Sequence, residues 1–390
     1  MCDKSIISKA KKPWFKHDIN IVFAIILIIF FFYSIFIAFN IKKGIINDEI
    51  THFDFSKQFS TTMGIPPELS DAYSYGVYIT QSPFLFYWIN GRIINIANIV
   101  LPSLSDWQLL LTLRVVNVFY AGGTIIFFYL FAKEFILHKW WCLLPPFLLS
   151  NTIMFVFLSG GVNYDNLTNL LCMASLFFLA RVFNHRTFLP NSLTWMICIA
   201  LGGLTKFTVL PLALVMGIVW IIFFIKNRQQ ILPVRFNRGK TITLSILLML
   251  LIIGNLSIYG YNLLEYHTLL PSCQDSLSEE QCQFDIYNLR MEKYGMEGKL
   301  TIIESIKLGY PNPIKYFVYW TARIINNIFG IGSHKSYQTI YRFISHLILF
   351  MWVFLIAILK KINFNINIKN SSFIGIFLFY FFTIFIFNYK

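Results

Sequence analysis

Charge is scarce in this sequence. Asp, Glu, Lys and Arg make up only 13% of its 390 residues, against about 25% in a soluble globular domain. So few charges cannot coat a water-soluble fold of this length, and they equally exclude a disordered, self-repelling chain. Cysteine is sparse as well. The six present form no C-x-x-C pair, which argues against a structural zinc site or a disulfide framework. Glycine and proline, at 20 and 13 residues, are too few for a collagen-like or low-complexity chain. No internal repeat of fixed period occurs. There is no G-x-x-x-x-G-K-[ST] or G-x-G-x-x-G cradle for a nucleotide, no G-x-S-x-G elbow and no H-E-x-x-H zinc pair.

What is abundant is apolar. Hydrophobic residues reach 57%, with 42 Phe among them, and they fall in long runs. That pattern reads as an all-α polytopic membrane protein, since a helix satisfies its own backbone in a bilayer. A net charge of +14 does not point to nucleic acid here. Lys and Arg sit between the apolar runs, the arrangement that sets membrane orientation. The first run, 19–39, follows a tail holding Lys4, Lys9, Lys11, Lys12 and Lys16. Its core exceeds the roughly 7–15 residues of a signal-peptide h-region and no small-residue cleavage site follows. It is expected to be an uncleaved first span with a cytoplasmic N-terminus.

Further spans are expected at 110–131, 140–159, 166–183, 241–262, 343–359 and 372–388. The stretch 190–225 is too long for one crossing of about 20 residues, and Thr205, Lys206 and Pro211 near its middle suggest two helices turning at Lys206. About nine spans result. The segment 82–102 is apolar but holds Asn90, Arg92, Asn95 and Asn98. If it lies along the interface, the cytoplasmic segments are 1–19, 132–139, 181–189, 226–240 and 360–371. These carry more Lys and Arg than the far longer opposite loops 41–109 and 263–342, as the positive-inside rule requires. Phe86, Tyr87 and Trp88 would then anchor a juxtamembrane helix at the headgroup level.

The expected plan is a cytoplasmic tail 1–19, a transmembrane core 20–262 with outer loop 41–109, an extracytoplasmic loop 263–342, and C-terminal helices within 343–390. Cys273 and Cys282 share that second loop outside the reducing cytoplasm, where a disulfide is compatible with the compartment.

Ionisable groups near a bilayer are costly and mark candidate function. Asp48, Glu49 and His52 follow the first span. On a helix Asp48 and His52 lie one turn apart, and Glu49 and His52, at i and i+3, could share a divalent metal. Carboxylates beside an imidazole can serve as a general base, orient one, or hold such an ion. The competing reading makes Asp48 a plain helix cap. Asp165, in the short loop Asn163-Tyr164-Asp165-Asn166, has the same alternative. Lys206 could simply snorkel to the interface. Arg114 lies near the start of the second span. The topology brings these three carboxylates and two cations to one membrane face, which five unrelated structural roles would not explain.

In this order the chain resembles the GT-C superfamily of integral-membrane glycosyltransferases, which includes protein O-mannosyltransferases and aminoarabinose transferases. The resemblance covers roughly residues 15–230. It rests on Asp48-Glu49 with His52, on Ser82-Pro83-Phe84-Leu85-Phe86-Tyr87-Trp88, on Arg114, on Asn163-Tyr164-Asp165, and on Leu204-Thr205-Lys206. Two departures stand out. The Pro-Pro-Leu of many members is Ser82-Pro83-Phe84 here, and many relatives run on through more helices or a soluble domain.

The resemblance implies a polyprenyl-phosphate-linked sugar donor and a glycan, lipid or protein acceptor among membrane lipids, with no nucleic acid partner, at a bacterial inner membrane. It implies Asp48 as general base with Asp165 as a second acid. Glu49 and His52 orient that base or hold a divalent ion, and Lys206 and Arg114 neutralise the lipid phosphate. The alternatives are a lipid-linked glycan transporter and an oligosaccharide polymerase or ligase. A transporter would need ionisable groups along both halves of the membrane, and the cytoplasmic halves are poor in them. A polymerase more often carries an arginine-rich outer loop, whereas 263–342 mixes Arg290, Arg323 and Arg342 with many acids.

Overall fold

The computed structural model describes residues 15–46, 48–66, 81–136, 138–184, 187–231 and 238–271, with isolated positions 275, 278, 282, 317 and 376. Regular structure among the described residues is entirely helical. Helix α1 (Phe15–Asn40) is an apolar rod. Helix α2 (Glu49–Ser60) opens with Glu49 and carries Lys57 in its last turn, both favourable to the helix dipole. Helix α3 (Leu85–Val100) begins just after Pro83 and stops two residues short of Pro102, as the steric demands of proline favour. A capping box starts α4 (Asp106–Phe135): Ser105 Oγ accepts from the Gln108 backbone, and the Gln108 side chain accepts from the Ser105 N–H.

A 3-10 turn (Lys139–Leu143) leads into α5 (Leu144–Ser150), whose first turn holds Pro145 and Pro146. After a break comes α6 (Ile153–Ser159), bent 65° from the preceding piece. Then follow α7 (Tyr164–Phe183), α8 (Phe188–Thr205), α9 (Val209–Ile231) and α10 (Arg238–Asn255). A π turn (Leu256–Gly260) joins α10 to α11 (Tyr261–Tyr266).

Six helices among the described residues are long and apolar enough to cross a membrane, or seven if the bent pair counts as one span. The chain is therefore an integral membrane protein by the character of its helices. The stretch 190–225 does divide at Lys206. The expected span 140–159 is not one rod, because the helix breaks between Ser150 and Ile153. The spans expected at 343–359 and 372–388 lie outside the described residues, apart from Ile376. Cys282 is buried and disulfide-bonded, and Cys273 lies outside the described residues.

Helix α7 is the hub, packing most extensively on α4 and α8, while α8 also packs on α10. Several polar groups inside this apolar bundle find partners in it. Ser159 Oγ donates to Ser34 Oγ at 2.8 Å, and Tyr259 on the π turn donates to the Gly203 carbonyl at 2.6 Å. On the outward side α10 exposes Ile246, Leu250 and Ile253, a face suited to lipid.

Helices α2 and α3 form a separate layer over one end of the bundle. They approach backbone to backbone: a Cβ on Gly91 would lie 2.7 Å from the Phe59 carbonyl carbon. The Arg92 guanidinium closes the far end by donating to the Phe59 and Thr62 carbonyls. Phe86 and Tyr87, expected with Trp88 as interfacial anchors, pack instead inside the protein. Phe86 is fully buried, Tyr87 meets His52, and Trp88 Nε1 donates to the Met63 carbonyl at 2.9 Å. Phe86 and Tyr87 face α2, and Trp88 reaches its exit loop.

The loop after α6 fits tightly against the loop that follows α1. A Cβ on Gly161 would stand 2.4 Å from Ile46 Cδ1 and 2.7 Å from Ile46 Cγ2. Gly161→Ala is therefore expected to destabilise the protein by about 1–3 kcal/mol, the usual cost of overpacking. Thermal unfolding of the purified protein in detergent measures this, and an unchanged midpoint would show that the loop yields freely.

Candidate functional site

The end of the bundle covered by α2 and α3 gathers every site residue expected from sequence. Its foundation is a buried ion pair. Glu49 and Arg114 are both 0% exposed and meet in a bidentate contact, Nε to Oε1 at 2.7 Å and Nη2 to Oε2 at 2.7 Å. Arg114 Nη1 also donates to the Ala38 and Ile41 carbonyls, and Nη2 to the Lys42 carbonyl. All five guanidinium donors are engaged. Glu49 in turn accepts from the Gly44 and Val162 backbone N–H groups. One ion pair thus joins the end of α1, the 41–46 loop, α2, α4 and the loop after α6.

Arg114, expected to meet a lipid phosphate, has no donor left for one. Glu49 is likewise withdrawn from acid–base chemistry, because each carboxylate oxygen already receives two donors. The expected Glu49–His52 metal seat is not assembled, since Glu49 keeps no free lone pair. Among the described residues no group of three or more His, Cys, Asp and Glu could hold a metal ion.

Asp48 stands in contrast. It is exposed and occupies the N-cap position of α2, but its side chain makes no capping hydrogen bond. Its φ of +57° lies in the left-handed region, which Asp enters more readily than most residues but still at a cost. Anchored Glu49 follows immediately in the chain. The backbone is thus held in a costly conformation that displays the carboxylate instead of using it as a cap, as at functional sites.

Asp165 is not the cap of α7 either. That role belongs to Asn163, whose side chain accepts from the Asp165 N–H at 2.8 Å. The Asp165 carboxylate, 36% exposed, instead pairs with the Lys206 ammonium, 22% exposed. Lys206 reaches it from the α8–α9 turn, where its extended backbone ends α8. The ammonium also sits 4.3 Å from the Tyr164 ring centre. Burial lowers the Lys206 pKa, but Asp165 overrides burial and holds it above its usual value. Lys206 is charged at every physiological pH.

His52 completes the set. It is 3% exposed, and its Nδ1 shares a 3.0 Å hydrogen bond with the Tyr87 hydroxyl. Its ring meets Tyr164 edge-on at 4.5 Å. Burial, with Lys206 adding to it, pushes the imidazole down to about 3. Burial also holds the Tyr87 phenol well above its ordinary range, with Tyr164, Asp48 and Asp165 contributing, so those carboxylates lie within electrostatic reach of it.

Acid should expose the His52 shift. An unfolded chain takes up a proton at His52 as pH falls below about 6.5, while the folded chain does not until about 3. His52 therefore removes stability progressively through that window, up to about 1.4 kcal/mol per pH unit, and nothing above it. His52→Gln should flatten the acid side of the melting profile between pH 6.5 and 4.5. An unchanged acid slope would show that the imidazole is not held neutral.

Asn117 escapes the sequence reading, which names Asn166 only as part of its loop. Asn117, fully buried, accepts from the Asn163 N–H and from Asn166 Nδ2. Asn166 also donates to the Leu158 and Gly161 carbonyls. Together they hold the loop that presents Asp165. Asn117 lies three residues after Arg114 on the same helix face, so a polar residue inside an apolar span was the available signal. A scan against protein-family models, a search of curated proteins and a search of solved structures each return no match.

Proposed function

We propose that this chain is a GT-C-like membrane glycosyltransferase of about nine spans. It moves a sugar from a polyprenyl-phosphate carrier to an acceptor hydroxyl on the extracytoplasmic face of a bacterial inner membrane. The observation that carries the reading is the displayed Asp48 carboxylate at the same end of an otherwise apolar bundle as the Asp165–Lys206 pair, all three within electrostatic reach of Tyr164. A free carboxylate, a cation and a lipid-accessible flank are what this transfer needs, and the carrier's phosphate removes any need for a nucleotide fold.

In the proposed step Asp48 takes the proton of the acceptor hydroxyl. The acceptor oxygen forms a bond to the anomeric carbon as the bond from that carbon to the phosphate oxygen breaks. The electron pair leaves with the polyprenyl phosphate, and Lys206 meets the departing charge while Asp165 steadies the ammonium. The proton on Asp48 passes to solvent at its exposed edge. Glu49 and Arg114 hold Asp48 in place and do not touch substrate.

A single displacement inverts the anomeric centre. Product isolated from membranes supplied with a donor of known anomeric configuration should carry the opposite one, read by NMR coupling constants. Retained configuration would contradict direct displacement.

A further inference from the structure

The His52 imidazole has two nitrogens, and the structure pairs only one of them. Nε2 is buried with no hydrogen-bond partner. A stranded buried polar atom of this kind is costly and calls for an explanation. The proton can be placed by hydrogen-bond economy. Among the described residues the Tyr87 hydroxyl bonds no group other than His52 Nδ1. If Nδ1–H donated to that hydroxyl, the phenolic proton and the Nε2 lone pair would both be stranded. If Tyr87 donates to Nδ1, the only stranded group is Nε2–H. The second arrangement leaves one unmet group instead of two.

The surroundings define what Nε2–H meets. Tyr164 presents its ring to His52, Lys206 lies over the same ring, and Phe86 stands edge-on at 6.0 Å. A donor hydrogen beside a permanent cation, in an aromatic wall, suits an anionic oxygen. We infer that His52 is an uncharged hydrogen-bond donor whose Nε2–H, together with the Lys206 ammonium, seats a phosphoryl oxygen of an isoprenyl monophosphate, and that Tyr87 is the positioning residue that sets its tautomer. This rests on the glycosyltransferase reading for the identity of the ligand. A neutral donor suits the seat because it adds no fixed positive charge, so the phosphate is held without being trapped after transfer. The low proton affinity of His52 described above supports the neutral form.

The test uses the full chain in nanodiscs with farnesyl phosphate as the probe. A Gln amide nitrogen falls near the place of Nε2 and an Asn amide near that of Nδ1. His52→Gln should therefore bind farnesyl phosphate within about threefold of the native protein. His52→Asn and His52→Phe should lose tenfold or more, the usual effect of a hydrogen bond to a charged group. Tyr87→Phe should fall between them. In 15N-histidine spectra, with the His52 signal identified by its loss in His52→Gln, the native protein should show a protonated Nε2 that shifts on adding the probe. That spectrum decides the matter even where His52→Asn, His52→Phe or Tyr87→Phe fails to fold.

A protonated Nδ1, or equal binding by the Gln, Asn and Phe variants, would overturn the inference. So would failure of the native protein to bind the probe. Sugar transfer is measured separately. Transfer without these effects sinks this inference alone, and the expected binding without transfer leaves the phosphate seat standing while removing the transferase.

Discussion

Asp48→Asn should lower sugar transfer by about 10² to 10⁴-fold, the usual contribution of a positioned general base, with little change in donor affinity. Asn is the most informative replacement because it also tolerates positive φ. The backbone at φ +57° keeps its shape, and the Glu49–Arg114 contact one residue away is undisturbed. Thermal unfolding should match the native protein, which separates lost chemistry from lost structure. Asp48→Gly should be equally inactive and of equal or slightly higher stability, because glycine meets no steric penalty at positive φ. A variant that gains stability as it loses activity is the expected mark of a strained residue kept for function. Asp48→Gly with full activity would return Asp48 to the role of a surface residue.

Arg114→Leu should be the most destabilising single change, by about 3–5 kcal/mol, because it leaves a buried, unpaired Glu49 carboxylate. Glu49→Leu should cost about as much through the stranded guanidinium. The double variant Glu49→Leu/Arg114→Leu should recover a large part of the loss, since replacing both charges of a buried pair by apolar groups is often tolerated. Recovery is expected to be incomplete, because the Ala38, Ile41 and Lys42 carbonyls also lose their donor. The diagnostic quantity is the non-additivity of the cycle, read from midpoints of unfolding in detergent. Even where the double variant folds, transfer should stay low, because the pair fixes the loop and helix that carry Asp48. Additive losses would mean the two residues act separately, against the geometry.

Much of this arrangement was legible in one dimension. The turn at Lys206 could be read because 190–225 exceeds one membrane crossing and Pro211 falls in the first turn of the second helix. The convergence of Asp48, Asp165 and Lys206 on one end followed from counting crossings. What could not be read was which charges pair. Glu49 and Arg114 are 65 positions apart, and only packing reveals that they satisfy each other while Asp48 is left displayed. The sequence leaves a helix cap open as the alternative for Asp165, and only the structure shows that Asn163, two residues earlier, is the cap while Asp165 partners Lys206. Phe86, Tyr87 and Trp88 looked like interfacial anchors because composition cannot tell a lipid-facing aromatic from one covered by α2. The break near Ser150 had a partial signal in Pro145 and Pro146, which favour a helix start there.

The acidic and basic groups at one end of the bundle are proposed to transfer sugar from a lipid carrier. The most direct test follows radiolabelled sugar leaving endogenous polyprenyl phosphate in membranes that hold equal amounts of native protein, Asp48→Asn or Lys206→Ala. The account expects discharge by the native protein, near-complete loss in Asp48→Asn and a strong reduction in Lys206→Ala. Discharge at the native rate in both variants would contradict it, and the displayed carboxylate would then serve something other than sugar transfer.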